Sequence, residues 1–479
     1  MKVCVRVLAS GAAALLAVVS VPLNAVAQGS GVDIASLTDI YEKALRNDPQ
    51  IREAEANRLA NRESKPQALA ALLPQVNATG GYTQNETDGS SVELDRLDPS
   101  DDSSPLVQST RTSDGETTDR SWSVSLRQTV FRWDQWAMLR RADAQVAQAE
   151  ADYQSAQQDL IQRTAQRYFD VLAAQDTVDS AQATLEAFSR QLEQANKRFE
   201  VGLIAITDVQ ETRAAHDQSA AAVIQAKRSL ATAQELLREL TGEPFSGLAP
   251  PVDDLPLKTP EPQNEQEWVD KALEQNLRVI SARLATDIAK EDVRVARSGH
   301  MPSIDVVARH GDQDVTGNSD VQSGNSPIIT LPSDRAGETD SIGIEVNFPI
   351  YSGGATSSRV RQRVYLHRAA RERLERASRE TERATRDAYL GVLSEISRVQ
   401  ALKQAVASSQ TALQATEAGF EVGTRTTVDV LDSRRRLFEA QTNYSRSRYD
   451  YLLNVLRLQF ATGTLSRTDL EEINGWLKK

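Results

Sequence analysis

Two periodicities divide this chain. Trp122, Val124 and Leu126, with Val130 beyond them, alternate with Ser123, Ser125 and Arg127; Ile342, Ile344, Val346, Phe348 and Ile350 alternate with Gly343, Glu345 and Asn347. A period of two places apolar side chains on one face of a strand and polar ones on the other. The alternation is weaker over 74–84 (Val76, Ala78, Tyr82) and over 302–313 (Ile304, Val306, Ala308). The pattern predicts two pairs of short strands, each pair around a polar loop rich in Gly, Ser, Asp and Thr.

Elsewhere apolar residues return every three or four positions, as in Leu160, Ile161, Tyr168, Val171, Leu172, Val178 and Leu185, with Ala and Gln between them. That spacing predicts helices that approach closely, as in coiled coils. No Gly or Pro occurs over 134–201, and only Gly391 over 355–418. Each stretch reads as a single helix, and ~65 residues at 1.5 Å per residue reach roughly 100 Å, several times a bilayer's thickness. Within the second stretch, Glu372, Glu375 and Glu382 precede Arg376, Arg379 and Arg386 by four residues, so its many arginines predict a solvated, paired face.

The elements recur. Residues 198–209 (RFEVGLIAITDV) match 419–430 (GFEVGTRTTVDV), and the same offset carries Tyr168 to Tyr389, Arg213 to Arg434 and Thr241-Gly242 to Thr462-Gly463. A fixed offset over so long a stretch marks a duplication. We divide the chain into a first repeat at 28–242, a connector at 243–263 and a second repeat at 264–479. The connector holds Pro244, Pro250, Pro251, Pro256, Pro260 and Pro262, and is expected to run as an extended strap.

The N-terminus changes the setting. Lys2 and Arg6 precede an apolar run over 7–21, and Ala25-Val26-Ala27 supplies small residues for cleavage before Gln28; residues 1–27 predict a secretory signal peptide. Cys4, the one cysteine, leaves with it. Disulfides, thiolate catalysis and Cys-based metal sites are thereby excluded. The chain has 55 Lys and Arg against 67 Asp and Glu, an acidic balance that argues against nucleic-acid binding. No later stretch offers the ~18 to 20 apolar residues of a membrane helix, so any crossing is by strands. The histidines (His216, His300, His310, His367) are scattered, and neither a nucleophile motif nor a phosphate loop is present. No enzyme, cofactor or metal centre is expected.

Four strands cannot close a barrel, and an open edge in lipid is untenable. The chain must oligomerise if its hairpins enter a membrane. A dimer, trimer or tetramer all remain possible, and larger barrels leave a water-filled lumen. The alternatives are a soluble hairpin on a non-conducting periplasmic coiled-coil scaffold or adaptor, and a surface adhesin displaying the acidic loop over 85–119.

The turns at 199–210 and 420–432 resemble the helix-hairpin tips of the TolC family, and the repeat order, the connector and the closing GTLSRTDL at 463–470 extend that similarity over essentially the whole mature chain. The resemblance implies a membrane α+β protein: a trimeric, twelve-stranded outer-membrane β-barrel continuous with a long periplasmic α-helical barrel. It implies docking to a periplasmic adaptor (membrane fusion) protein and an inner-membrane efflux pump or ABC exporter, for efflux of small molecules or type I protein secretion. Gly202, Leu203, Gly423 and Thr424 would be the docking tips. Asp429 and Asp432 would form the entrance constriction, six carboxylates whose repulsion would raise their pKa values and select cations. Arg425 would latch neighbouring hairpins by bonding Thr207 and Asp208. The family's best-known latch also uses a tyrosine where this chain has Phe420, which has no hydroxyl.

The tips also carry plain structural chemistry. Gly202 and Gly423 suit a positive φ that ends a helix, Thr207 with Gln210 fits a capping box, and Asp208 suits a helix N-terminus. Trp133 and Trp136, just past a strand, suit a membrane interface or the junction of barrel and tube.

Overall fold

The computed structural model describes residues 34–96, 100, 103, 105–323 and 327–478. The expected signal peptide lies outside the described residues. The chain runs β1 (Ile34–Ala35), α1 (Leu37–Asn47), α2 (Pro49–Arg62), α3 (Ser64–Ala70), β2 (Gln75–Arg96), β3 (Leu106–Phe131), α4 (Trp133–Glu200), α5 (Ile206–Thr241), β4 (Gly247–Leu248), α6 (Glu265–Gln275), α7 (Leu277–Ser298), β5 (Ser303–Ser323), β6 (Ile329–Pro332), β7 (Arg335–Asn347), α8 (Ala355–Glu421), α9 (Thr427–Thr462) and α10 (Arg467–Asn474).

The absence of Gly and Pro acts as the sequence predicts: α4 is one helix of 68 residues and α8 one of 67, each roughly 100 Å long at 1.5 Å per residue. No helix among the described residues is long and apolar enough to cross a membrane. A core belt lies partway along the helices, where Leu37, Ile40, Leu160, Leu237, Leu452, Leu456 and Leu470 are fully buried. The connector is strapped across this belt. The Tyr168 hydroxyl bonds the carbonyls of Ala35 (3.2 Å) and Ala249 (2.9 Å), and the Tyr451 hydroxyl accepts from Lys258 N–H (2.8 Å). Beside it β4 pairs in parallel with β1.

The remaining strands form one antiparallel sheet in the order β2, β3, β5, then β6 and β7, which are two parts of one return strand. Its register lines up Val76, Leu126, Ala308 and Ile342. Phe131, Ile304 and Val346 form a parallel row on the same face, as do Gln128, Val306 and Ile344. The opposite face carries Ser123, Ser125, Arg127, Asp305 and Glu345. Arg127 bridges Asp305 and Glu345 there, each at 2.9 Å. The apolar rows run from Trp122 to Phe131, about the nine to eleven residues that a tilted membrane strand needs. Above them the same face turns polar, where Arg120 pairs with Asp314.

Two expectations are corrected. The acidic segment 85–119 is not simply a loop: β2 and β3 stay in register from Gln75–Arg127 to Arg96–Leu106. Mostly polar residues hold this part of the sheet by backbone bonds and by side-chain bonds such as Ser113 to Ser319 (3.2 Å) and Gln313 to Asp119 (2.7 Å), with no sustained apolar face to betray it by a period of two. Ile350 falls beyond the strand, which ends at Asn347 before Pro349, a residue with no N–H to donate. In this chain the sheet is open, with β2 at one edge and β7 at the other.

Candidate functional site

At the far ends of the long helices the chain reverses twice by one mechanism. The first turn has Gly202 at φ 78°, with Gly202 N–H on the Phe199 carbonyl and Leu203 N–H on that of Arg198, both 2.9 Å. The second has Gly423 at φ 77°, with Gly423 N–H on Phe420 (3.1 Å) and Thr424 N–H on Gly419 (2.8 Å). These are Schellman closures, in which glycine takes the left-handed conformation that other residues resist. Both tips present apolar side chains to solvent: Val201, Leu203 and Val422 are about 70% exposed or more.

The returning helices start differently. In α9, Thr426 is the N-cap. Its hydroxyl accepts from Asp429 N–H (3.2 Å), and the Asp429 carboxylate accepts from Thr426 N–H (2.8 Å) and Oγ1 (2.9 Å). In α5 the N-cap is Ala205, so only half of this box exists, from Ala205 N–H to Asp208 at 3.3 Å. Thr207 lies one position inside the helix and is not the cap that its spacing from Gln210 suggested.

The two expected constriction acids sit in the first turns of α9. The Thr426 backbone N–H and then its hydroxyl hold the Asp429 carboxyl below the usual carboxylate range. Asp432 is also held low, by bonds from Arg436 and then Arg435, the latter at 2.5 Å. Each acid thus has its own local donors within the chain, whereas the upward shift expected above belongs to six carboxylates brought together in an oligomer. Arg434 pairs across the hairpin with Glu417.

The latch residues lie on two different tips, Thr207 and Asp208 on the first and Phe420 and Arg425 on the second, and are not joined within one chain. Among the described residues, no hydrogen bond or ion pair links Arg425 to Thr207 or Asp208; the Arg425 stem packs on Gly419. At the tips the two hairpins do meet where Arg198, at the end of α4, sets its guanidinium 4.9 Å from the centre of the Phe420 ring; farther along, the Tyr449 hydroxyl of α9 donates to Asp176 of α4 (2.7 Å). Sequence reasoning missed Arg198, Thr426, Arg435 and Arg436. The last two stand three and four residues after Asp432, a spacing that pairs charges on a helix. Arg198 and Phe420 had no such local signal.

The family described as outer membrane efflux protein matches residues 40–243 and 268–464. The chain is 37% identical to outer membrane protein TolC of Vibrio cholerae, over 94% of this chain and 95% of that protein. It is 30% identical to the alkaline protease secretion protein AprF of Pseudomonas aeruginosa, over 91% of this chain and 86% of that protein. Its fold is shared with the Campylobacter jejuni CmeC outer membrane channel, with a TM-score of 0.70, 15% identity, and coverage of 92% of this chain and 90% of that one.

Proposed function

Because this chain belongs to the outer membrane efflux protein family, whose match takes in most of its length, we propose that three copies assemble into an exit duct. It is an outer-membrane protein with a periplasmic extension. The observation that carries the reading is the open sheet: an apolar face of membrane-spanning height with unsatisfied edges at β2 and β7. Lipid offers no partners for those edges, so β7 of one copy must meet β2 of the next. Three four-strand units make a twelve-stranded barrel, wide enough for water. The helices α4, α5, α8 and α9 continue it as a periplasmic tube.

The tips close the tube's inner end. Asp429 and Asp432 ring the entrance, and Arg425 reaches Thr207 and Asp208 of an adjoining hairpin when the trimer forms, while Phe420 contributes its ring through Arg198. The exposed apolar turns at Gly202-Leu203 and Gly423-Thr424 fit docking by a periplasmic adaptor that recruits an inner-membrane efflux pump or ABC exporter. Energy comes from that partner. The cargo is small molecules, as efflux in the family's description suggests, or proteins, as the name of the alkaline protease secretion protein suggests.

Native mass spectrometry of protein extracted from outer membranes tests the assembly. Three chains released only by detergent are expected; a monomer released by a carbonate wash contradicts it and favours a periplasmic scaffold.

A further inference from the structure

We infer that the wall of the duct just beneath the barrel holds an oxyanion, bound by the guanidinium groups of Arg132, Arg141, Arg359 and Arg363. A cleft of about 470 Å³ lies where α4, α7 and α8 meet the strands, and these four arginines line it with Trp133 and Asp292.

The sheet register says which way the cleft faces. Ser303 and Asn347, also on its wall, pair with one another and belong to the polar face that carries Arg127, Asp305 and Glu345. A register shift between Thr129 and Phe131 puts Phe131 opposite Ile304 in the apolar row. Arg132, the next residue, is thereby turned to the polar side. That side is the lumen if the sheet closes as proposed above, and the inference rests on that reading for its orientation alone.

The charges do not balance locally. Asp292 is shared by Arg141 (3.0 Å) and Arg363 (3.3 Å). The other carboxylate on the wall is Asp134. Arg132 and Arg359 have no hydrogen-bond or ion-pair partner among the described residues, and Arg132 Nε is buried without one. A buried cationic N–H left unsatisfied is costly, and water or an anion is what such a group recruits. The first turn of α4 adds to the field. Its N-cap, Arg132, makes no side-chain cap, and Trp133 and Asp134 of the uncapped first turn line the same cleft. Planar guanidinium forks match the paired oxygens of phosphate and carboxylate groups. The ligand is therefore a phosphate- or carboxylate-bearing anion in transit, met by a basic neck at the opposite end of the tube from the acidic entrance.

The test is calorimetric titration of the detergent-purified oligomer with inorganic phosphate, alongside bilayer current from the same preparation. Saturable binding is expected, weakened about tenfold by Arg359→Gln, an exposed and unpartnered position where folding is not at stake, and largely kept by Arg359→Lys. Arg132→Gln with Arg359→Gln should abolish it. Absence of saturable binding, or equal affinity in Arg359→Gln and the wild type, overturns the site. Binding to phospholipid vesicles without binding of free phosphate also overturns it, because the cleft would then face lipid. Phosphate binding without current supports the site and removes the duct; current without phosphate binding does the reverse.

Discussion

At the first hairpin tip Ile204 and Ala205 stand where the second has Arg425 and Thr426, and a little further on Glu211, Ala214 and Ala215 stand where the second has Asp432, Arg435 and Arg436. The backbones are nearly superimposable in their logic: a left-handed glycine, two Schellman bonds and an acid at the third helical position. Shared turn chemistry therefore explains Gly202, Gly423, Asp208 and Asp429. What differs is charge and capping, concentrated on the second hairpin. The comparison teaches that duplication preserved the reversal of the chain while one copy acquired the groups suited to an entrance.

The largest expected effect comes from removing the second tip's unmatched cation. Arg425→Ser should raise the mean conductance of the reconstituted oligomer about tenfold, the scale of one charge-assisted hydrogen bond. Ile204→Ser should leave it unchanged. Equal responses in the two variants would erase the distinction between the tips.

Next is the masking of Asp432. Arg435→Ala with Arg436→Ala should shift reversal potentials in a salt gradient toward cations, because it exposes a carboxylate that both guanidinium groups now hold. Asp429 and Asp432 are held below the ordinary carboxylate range, so the cation selectivity proposed for them should persist as pH falls through about 4, where a free aspartate protonates, and fade only below it. The linked stabilisation has the same sign. It is complete above the unfolded value and disappears as pH drops through the lower folded one. Selectivity lost already at pH 5 would contradict the assignment.

Smaller still is the cap. Thr426→Ala should cost about 1 kcal/mol of local stability in α9, and Ala205→Thr should add a similar amount to α5. Hydrogen exchange of the first-turn amides should change by a factor of about five in opposite directions. The smallest effect belongs to Arg198→Ala, which removes a cation–π contact of about 0.5–1 kcal/mol. A two- to fivefold rise in conductance is expected; no rise, with Arg425→Ser still active, would leave Arg425 as the sole tie.

Much of this architecture was legible in the sequence. Long stretches free of Gly and Pro announced α4 and α8, and alternation announced the strand segments that carry the apolar face. The upper halves of β2 and β3 were hidden because both of their faces are mostly polar, with only Val92 and Leu94 alternating in β2, so no sustained periodicity marks them. The tip glycines were readable from their place after a helical run. Thr207 misled because Thr-x-x-Gln is a weaker cue than the helix's true start, whereas Thr426 with Asp429 carried the full signature and went unremarked. Arg198 on Phe420 depends on how two hairpins lie side by side, which residue spacing does not encode.

The most direct measurement is single-channel current from the purified oligomer in a planar bilayer, with a trivalent hexammine cation added on the hairpin side. The account predicts a small cation-selective current that the ion blocks, with the block lost in Asp429→Asn with Asp432→Asn. A folded oligomer that carries no current, or one whose block survives that double substitution, would contradict it.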